Sequence, residues 1–135
     1  RLVNLRDTMQ IQPTPIHDMH VITFGTCFDV YEEPALESAV LQVQGVQGKH
    51  IILNLEALTI LDSRGLGKLF LTYHHLNRKQ IRLSMVNPRP AVRELLEFVN
   101  FPQIVPLYNS VEDVVAYEHR QIESSGLQEA AWSPL

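Results

Sequence analysis

The chain has 135 residues, of which 45% are hydrophobic and 19% are charged, and its formal net charge is −4 at pH 7. These values are typical of one globular domain with a moderate core. No apolar run approaches the roughly 20 residues that span a bilayer, and no basic cluster favours a nucleic-acid surface. Cys27 is the only cysteine and no signal-peptide pattern begins the chain, so we expect a cytoplasmic protein without disulfides.

Both ends of the chain lack hydrophobic periodicity. Residues 1–8 precede Met9 and are expected to form an N-terminal extension. Residues 124–135 are expected to form a C-terminal tail. A single domain over residues 9–123 remains between them.

Strand and helix patterns alternate through this domain. Strands are predicted at residues 19–24, 50–55, 81–86 and 104–107, and an additional strand at residues 9–14 is restricted to the sheet edge by its prolines. Apolar residues at the spacing i, i+3, i+4, i+7 predict helices around residues 36–43, 66–73 and 92–99. A fourth helix is predicted after Ser110, whose hydroxyl suits an N-cap.

The order of these elements predicts the topology. An initial hairpin, with its turn near His17 and Asp18, should be followed by parallel strands joined through right-handed crossovers. Apolar residues alternate with Arg82 and Ser84 in the strand at residues 81–86, which indicates a sheet with one covered face. We therefore expect an α/β fold with a small mixed sheet of about five strands and about four helices packed on one face.

The most informative motif lies between a predicted strand and a predicted helix and reads Asp62-Ser63-Arg64-Gly65-Leu66-Gly67. An acid before an apolar helix is first of all an N-cap, worth about 1 kcal/mol. Glycine within a helix costs roughly 0.5–1 kcal/mol relative to alanine, so two of them indicate a close approach of the backbone to the sheet or to a ligand. Free N–H groups at such a helix start can also receive a phosphate.

The run from Ile52 to Gly67 resembles the signature of STAS domains, and specifically of bacterial anti-sigma factor antagonists. In that family a strand leads to Asp-Ser-(Ser/Thr)-Gly-Leu-Gly at the start of a helix. The similarity extends over residues 9–122 through three further segments, which are Phe28-Asp29, Val86-Asn-Pro-Arg-Pro-Ala-Val92 and Asn109-Ser110. The STAS fold is therefore expected.

The resemblance implies that Ser63 is the phosphoacceptor of a partner serine kinase that is also the anti-sigma factor. It further implies that the phosphate and the partner are surrounded by Asp29, Asp62, Arg64, Gly65, Leu66 and Gly67. Arg64 departs from the family, which usually has a small hydroxyl residue there. A cation at this position can pair with phosphate or change which partner is recognised.

The implied function is that of a binding module in a partner-switching pathway. The unphosphorylated chain binds the anti-sigma factor kinase and frees a sigma factor for transcription; the Ser63-phosphorylated chain releases the kinase, and a serine phosphatase reverses the modification. We expect no enzymatic activity, cofactor or metal, and no contact with nucleic acid or membrane. A homodimer through an open sheet face stays open, as does a STAS interaction domain of a signalling scaffold or of a larger protein such as an anion transporter.

Two other chemistries are disfavoured by the residues themselves. Adjacent His74 and His75 point in different directions on a helix, and no further ligand stands at metal-binding spacing. A hydrolase with Ser63 as nucleophile would need a positioned histidine and a Gly-x-Ser-x-Gly elbow, which the motif does not match.

Overall fold

A computed structural model describes residues 9–16, 18–28, 33–45 and 50–132. The elements in chain order are β1 (Gln10–Pro13), β2 (Met19–Thr23), β3 (Cys27–Phe28), α1 (Glu33–Gly45), β4 (His50–Asn54), β5 (Ile60–Leu61), α2 (Ser63–Arg78), β6 (Arg82–Val86), α3 (Pro90–Phe98), a 3-10 helix (Phe101–Gln103), β7 (Leu107–Tyr108) and α4 (Val111–Trp132). The expected N-terminal extension at residues 1–8 lies outside the described residues. No helix in the described part of the chain is long and apolar enough to cross a membrane.

Five strands form the main sheet in the order β1-β2-β4-β6-β7. β1 and β2 form the predicted antiparallel hairpin, and Asp18 in its turn adopts a positive φ of 66°; His17 lies outside the described residues. The pairs β2–β4, β4–β6 and β6–β7 are all parallel. The predicted mixed sheet of five strands with four helices is confirmed.

Helices cover both faces of the sheet, so the expectation that all four pack on one face is wrong. The larger core joins β2, β4 and β6 to α1, α2 and α3, with members such as Leu36, Ile51 and Leu69. Alternate residues of the same strands, including Ile52, pack on the other face against Val114 of α4. His50, Ser84 and Glu118 are buried on this second face, whereas Arg82 pairs with Glu118 and keeps a side chain that is 61% exposed.

Two boundaries differ from their predictions. The strand predicted at residues 104–107 is mostly not a strand, since β7 begins only at Leu107. A 3-10 helix precedes this stretch and starts after Asn100, a residue with a φ of 60°. Val105 in this stretch is fully buried, which explains its strand-like apolar pattern. α4 starts after Ser110, whose hydroxyl accepts a hydrogen bond from Asp113 N at 3.1 Å, and it continues to Trp132 through residues expected to be an aperiodic tail.

Candidate functional site

A two-stranded parallel sheet outside the main sheet positions the start of α2. β3 pairs with β5 so that Phe28 lies opposite Leu61. The Thr26 carbonyl adds to this pairing by accepting hydrogen bonds from the backbone N–H groups of Thr59 at 2.8 Å and Ile60 at 3.0 Å. The last residue of β3 is thereby held beside the residue that precedes Asp62.

Asp62 is the N-cap of α2. Its carboxylate Oδ1 accepts a hydrogen bond from Gly65 N at 2.8 Å, and its backbone carbonyl accepts from Leu66 N at 2.9 Å. The capping interpretation of Asp62 is therefore confirmed. The same carboxylate places negative charge beside the helix start, where the N-terminal end of the helix dipole favours it.

Ser63 is the first residue of α2 and is exposed, as is Arg64. A hydroxyl in this position is open to an approaching enzyme. Residues at the first positions of a helix also have backbone N–H groups without an intrahelical acceptor. The local geometry therefore suits covalent addition of a phosphate at Ser63.

The two glycines of the motif have different surroundings. A Cβ on Gly65 would overlap the backbone carbonyl oxygen of Phe28 and lie 3.0 Å from Leu61 Cδ1. Among the described residues, no atom lies within 4 Å of a Cβ placed on Gly67. The expected close approach to the sheet is thus confirmed for Gly65, whereas for Gly67 the approach of a ligand stays a prediction. Leu66 between them joins the core.

The remaining motif residues lie at the carboxyl edge of the sheet or outside the described residues. β4, β6 and β7 are parallel, so their carboxyl ends share the edge at which α2 and α3 begin, the usual site of chemistry in such folds. Asn87 follows β6 with a φ of 63° and donates through its backbone N–H to Tyr108 O at 3.0 Å. Asp29 lies outside the described residues.

A buried polar cluster between the sheet and α4 was not predicted. His50 Nε2 lies 2.7 Å from Ser84 Oγ, and His50 Nδ1 lies 3.7 Å from Glu118 Oε2. Both terminal nitrogens of Arg82 donate to the Glu118 carboxylate. The sequence contained one signal for this cluster, because His50, Arg82 and Ser84 all lie on the side of their strands that faces α4. Their shared partner, Glu118, is 36 residues from Arg82 along the chain and could not be identified from the strand pattern.

The pKa of His50 is lowered to about 4, mainly by burial and also by the Arg82 cation, while the Glu118 carboxylate opposes the shift. The imidazole is therefore neutral at pH 7. His50, Ser84 and Glu118 are each at most 5% exposed, so no substrate can reach the serine. This cluster joins α4 to the sheet.

His74 and His75 are exposed on α2, as expected. Within the described ranges no group of three His, Cys, Asp or Glu side chains could hold a metal ion.

Comparisons with known proteins agree with this geometry. Residues 10–114 match the STAS domain family. The anti-sigma F factor antagonist of Paenibacillus polymyxa is 32% identical over 68 residues, a match that covers 50% of this chain and 58% of that protein. The chain thus matches less than two thirds of that relative's length.

Solved structures share the fold. An anti-sigma factor antagonist of Mycobacterium paratuberculosis has a TM-score of 0.68 at 25% identity, covering 82% of this chain and 94% of that one. Unphosphorylated SpoIIAA has a TM-score of 0.67 at 20% identity, with 82% and 96% covered. The phosphorylated form of Bacillus SpoIIAA has a TM-score of 0.63 at 19% identity, with 81% and 97% covered. Since the family match spans most of its length, the chain belongs to the STAS domain family.

Proposed function

We propose that the chain is an anti-sigma factor antagonist that is switched by phosphorylation of Ser63. It binds an anti-sigma factor serine kinase in the cytoplasm, frees a sigma factor, and lets the kinase go once Ser63 carries a phosphate; a serine phosphatase restores binding. The relative from Paenibacillus polymyxa carries the name of such an antagonist, and SpoIIAA has been solved with and without phosphate. The domain itself would be a substrate and would catalyse nothing.

The observation that carries this proposal is the position of Ser63. Its exposed hydroxyl begins α2 directly after the Asp62 cap, and the β3–β5 pair fixes the backbone that leads into the helix. A kinase requires an accessible hydroxyl in a defined place. Ser63 meets both conditions.

The fold should tolerate the modification. A phosphoserine carries about −1.5 to −2 charges at pH 7, and the positive end of a helix dipole together with free N–H groups favours an anion there. The adjacent Arg64 guanidinium offers a further donor for phosphate oxygens. We infer that the phosphate is accommodated by the domain and felt mainly by the partner.

The partner should respond through charge and contact. Asp62 already makes the helix start negative, and a dianion beside it would repel an acidic partner surface and separate closely packed surfaces. We propose that the surface that contacts the partner comprises Asp29, Asp62 and residues 63–67. Binding would then be lost without unfolding of the domain.

Capture from native extract provides the test. The unmodified chain and its Ser63→Ala variant, each immobilised, should retain an anti-sigma factor with a kinase domain, whereas Ser63→Asp should retain at least about tenfold less, roughly 1.4 kcal/mol in affinity. Ser38→Asp is the matched control because Ser38 is an exposed helical serine on α1. It adds one charge elsewhere and should bind as the unmodified chain does.

Incubation of the captured kinase and ATP with the free chain should add one phosphate at Ser63, and Ser63→Ala should stay unmodified. Equal retention of all four proteins would reject the switch. If, in addition, none of the four proteins captures a kinase, the result would favour a STAS interaction domain within a scaffold or a larger protein such as an anion transporter.

A further inference from the structure

Ile60 lies three residues before Ser63 and is 56% exposed. Its neighbour in β5, Leu61, packs against the larger core, so the alternation of a strand turns Ile60 to the outer side of the β3–β5 pair. The pairing uses main-chain groups, including the Ile60 N–H, which donates to Thr26 O at 3.0 Å. A threonine would supply the same β-branched shape. Ile60 is therefore an apolar group that the described fold does not use.

Gly67 is a second residue that the described fold does not explain. It is exposed on α2, four positions after Ser63, and no described atom lies within 4 Å of a Cβ placed on it. Residues four apart lie on the same face of a helix, so the Ser63 hydroxyl stands next to helix surface without a side chain. Glycine destabilises a helix relative to alanine, but it lets another molecule approach the backbone closely.

The two residues flank the phosphoacceptor within one small area. Three residues of chain reach at most about 11 Å, so Ile60 lies within that distance of Ser63, and Gly67 lies about 6 Å from Ser63 along the α2 axis. Asp62 and Arg64 are also exposed. A stable interface buries roughly 800 Å² on each partner, which is wide enough to cover this whole area.

We infer that the surface that contacts the kinase extends to Ile60, which is its apolar anchor, and that the kinase packs directly on the backbone of α2 at Gly67. This role of the two residues rests on the function proposed above. The kinase must reach the Ser63 hydroxyl to phosphorylate it, and both residues lie beside that hydroxyl. An apolar pocket of the kinase would take the Ile60 side chain, as anchors do in well-packed interfaces. A phosphate on Ser63 would then stand between two closely packed surfaces and separate them.

Calorimetric titration of the captured kinase into the full chain tests this surface with variants that spare the fold. Ile60→Thr keeps the β-branched shape and removes the apolar end of the side chain. Gly67→Gln fills the open space beside Ser63 with a good helix former. Each variant should bind the kinase at least about tenfold more weakly than the unmodified chain does, and neither should lower Tm.

Leu41→Gln and His75→Gln are the matched controls. Leu41 is 63% exposed on α1, so its replacement removes a similarly exposed apolar side chain elsewhere. His75 is exposed on α2, about 12 Å beyond Gly67 along the helix. Both controls should bind the kinase within about twofold of the unmodified chain.

Unchanged affinity of Ile60→Thr and Gly67→Gln, with Ser63→Asp still weakened, would overturn this surface and leave the proposed function standing. A loss of affinity accompanied by a lower Tm would mean that the residue serves the fold, and would equally remove it from the surface. Weak binding of both variants with unchanged binding of Ser63→Asp would support the surface and reject the switch.

Two further outcomes count against the surface. Failure of the unmodified chain to capture any kinase would reject both the surface and the proposed function. A dimer of the unmodified chain that Ile60→Thr dissociates, with kinase affinity unchanged, would assign Ile60 to contact with a second copy. Sedimentation velocity of the two proteins distinguishes that case.

Discussion

Gly65 at the start of α2 lies directly against the backbone carbonyl of Phe28 at the end of β3, leaving no room for a Cβ. The helix start is therefore held by two connections, the Asp62 cap and this contact. Both fix the backbone around Ser63.

Substitution of the two glycines should have opposite effects. Gly65→Ala forces the helix away from Phe28 and Leu61, and overpacking of this kind costs about 1–3 kcal/mol. Gly67→Ala fills open space on an exposed helical position and should stabilise by roughly 0.5–1 kcal/mol. Urea unfolding at pH 7.5 measures both; equal stability of the two variants would show that the contact with Phe28 is not tight.

The Asp62 cap should contribute independently of its charge. Asp62→Ala leaves Gly65 N without its acceptor and should lower the free energy of unfolding by about 1 kcal/mol. Asp62→Asn keeps an acceptor oxygen and should lose much less. If thermal or urea unfolding shows the two variants equally destabilised, the hydrogen bond to Gly65 is not the source of the effect.

His50 should make stability depend on pH. Its pKa is about 4 in the folded chain against the ordinary value of 6.5, so the unfolded chain binds the proton first as the pH falls. Stability is therefore complete above pH 6.5 and decreases as the pH falls towards 4, by about 3 kcal/mol for this residue. Below about 4 both states are protonated and the loss from His50 stops.

Urea unfolding between pH 7.5 and 4.5, compared with His50→Gln, isolates this contribution. Glutamine can still bond Ser84 but does not titrate, and the carboxylates are common to both proteins. The variant should show a shallower loss of stability on acidification. Parallel curves would mean that the imidazole is not kept neutral by burial.

The pair between Arg82 and Glu118 joins β6 to α4. Arg82→Met leaves a carboxylate that is 5% exposed without its two donors, which should cost at least about 2 kcal/mol. The double variant Arg82→Met/Glu118→Met removes the buried charge as well and should recover most of that loss. Urea unfolding of the single and double variants checks this; a double variant as unstable as Arg82→Met would contradict it.

The spacing of apolar residues in the sequence is sufficient to predict the helices that bury a continuous apolar stripe and the strands that are buried along their length. β2, β4 and β6 and the first three helices follow from apolar spacing, because each buries many side chains of its own. β3 and β5 have two residues each, which is too short for alternation to show. Their pairing depends on Thr26 and Thr59, residues 33 positions apart.

The second covered face was missed for a similar reason. Ser84 looks solvent-facing within its own strand, but it is buried beside His50, because the distant Val114 and Glu118 of α4 cover that face. In the site, the cap at Asp62 and the reason for Gly65 followed from helix physics. No described residue lies close enough to Gly67 to require a glycine there, so the close approach of a ligand at Gly67 stays a prediction.

The decisive measurement is the affinity of the chain for its captured anti-sigma factor kinase, with and without phosphate on Ser63. Calorimetric titration of the unmodified protein and of protein carrying phosphoserine incorporated at position 63 should show at least a tenfold loss of affinity, roughly 1.4 kcal/mol, with little change in Tm. Equal affinity of the two forms, both folded, would contradict Ser63 phosphorylation as the switch.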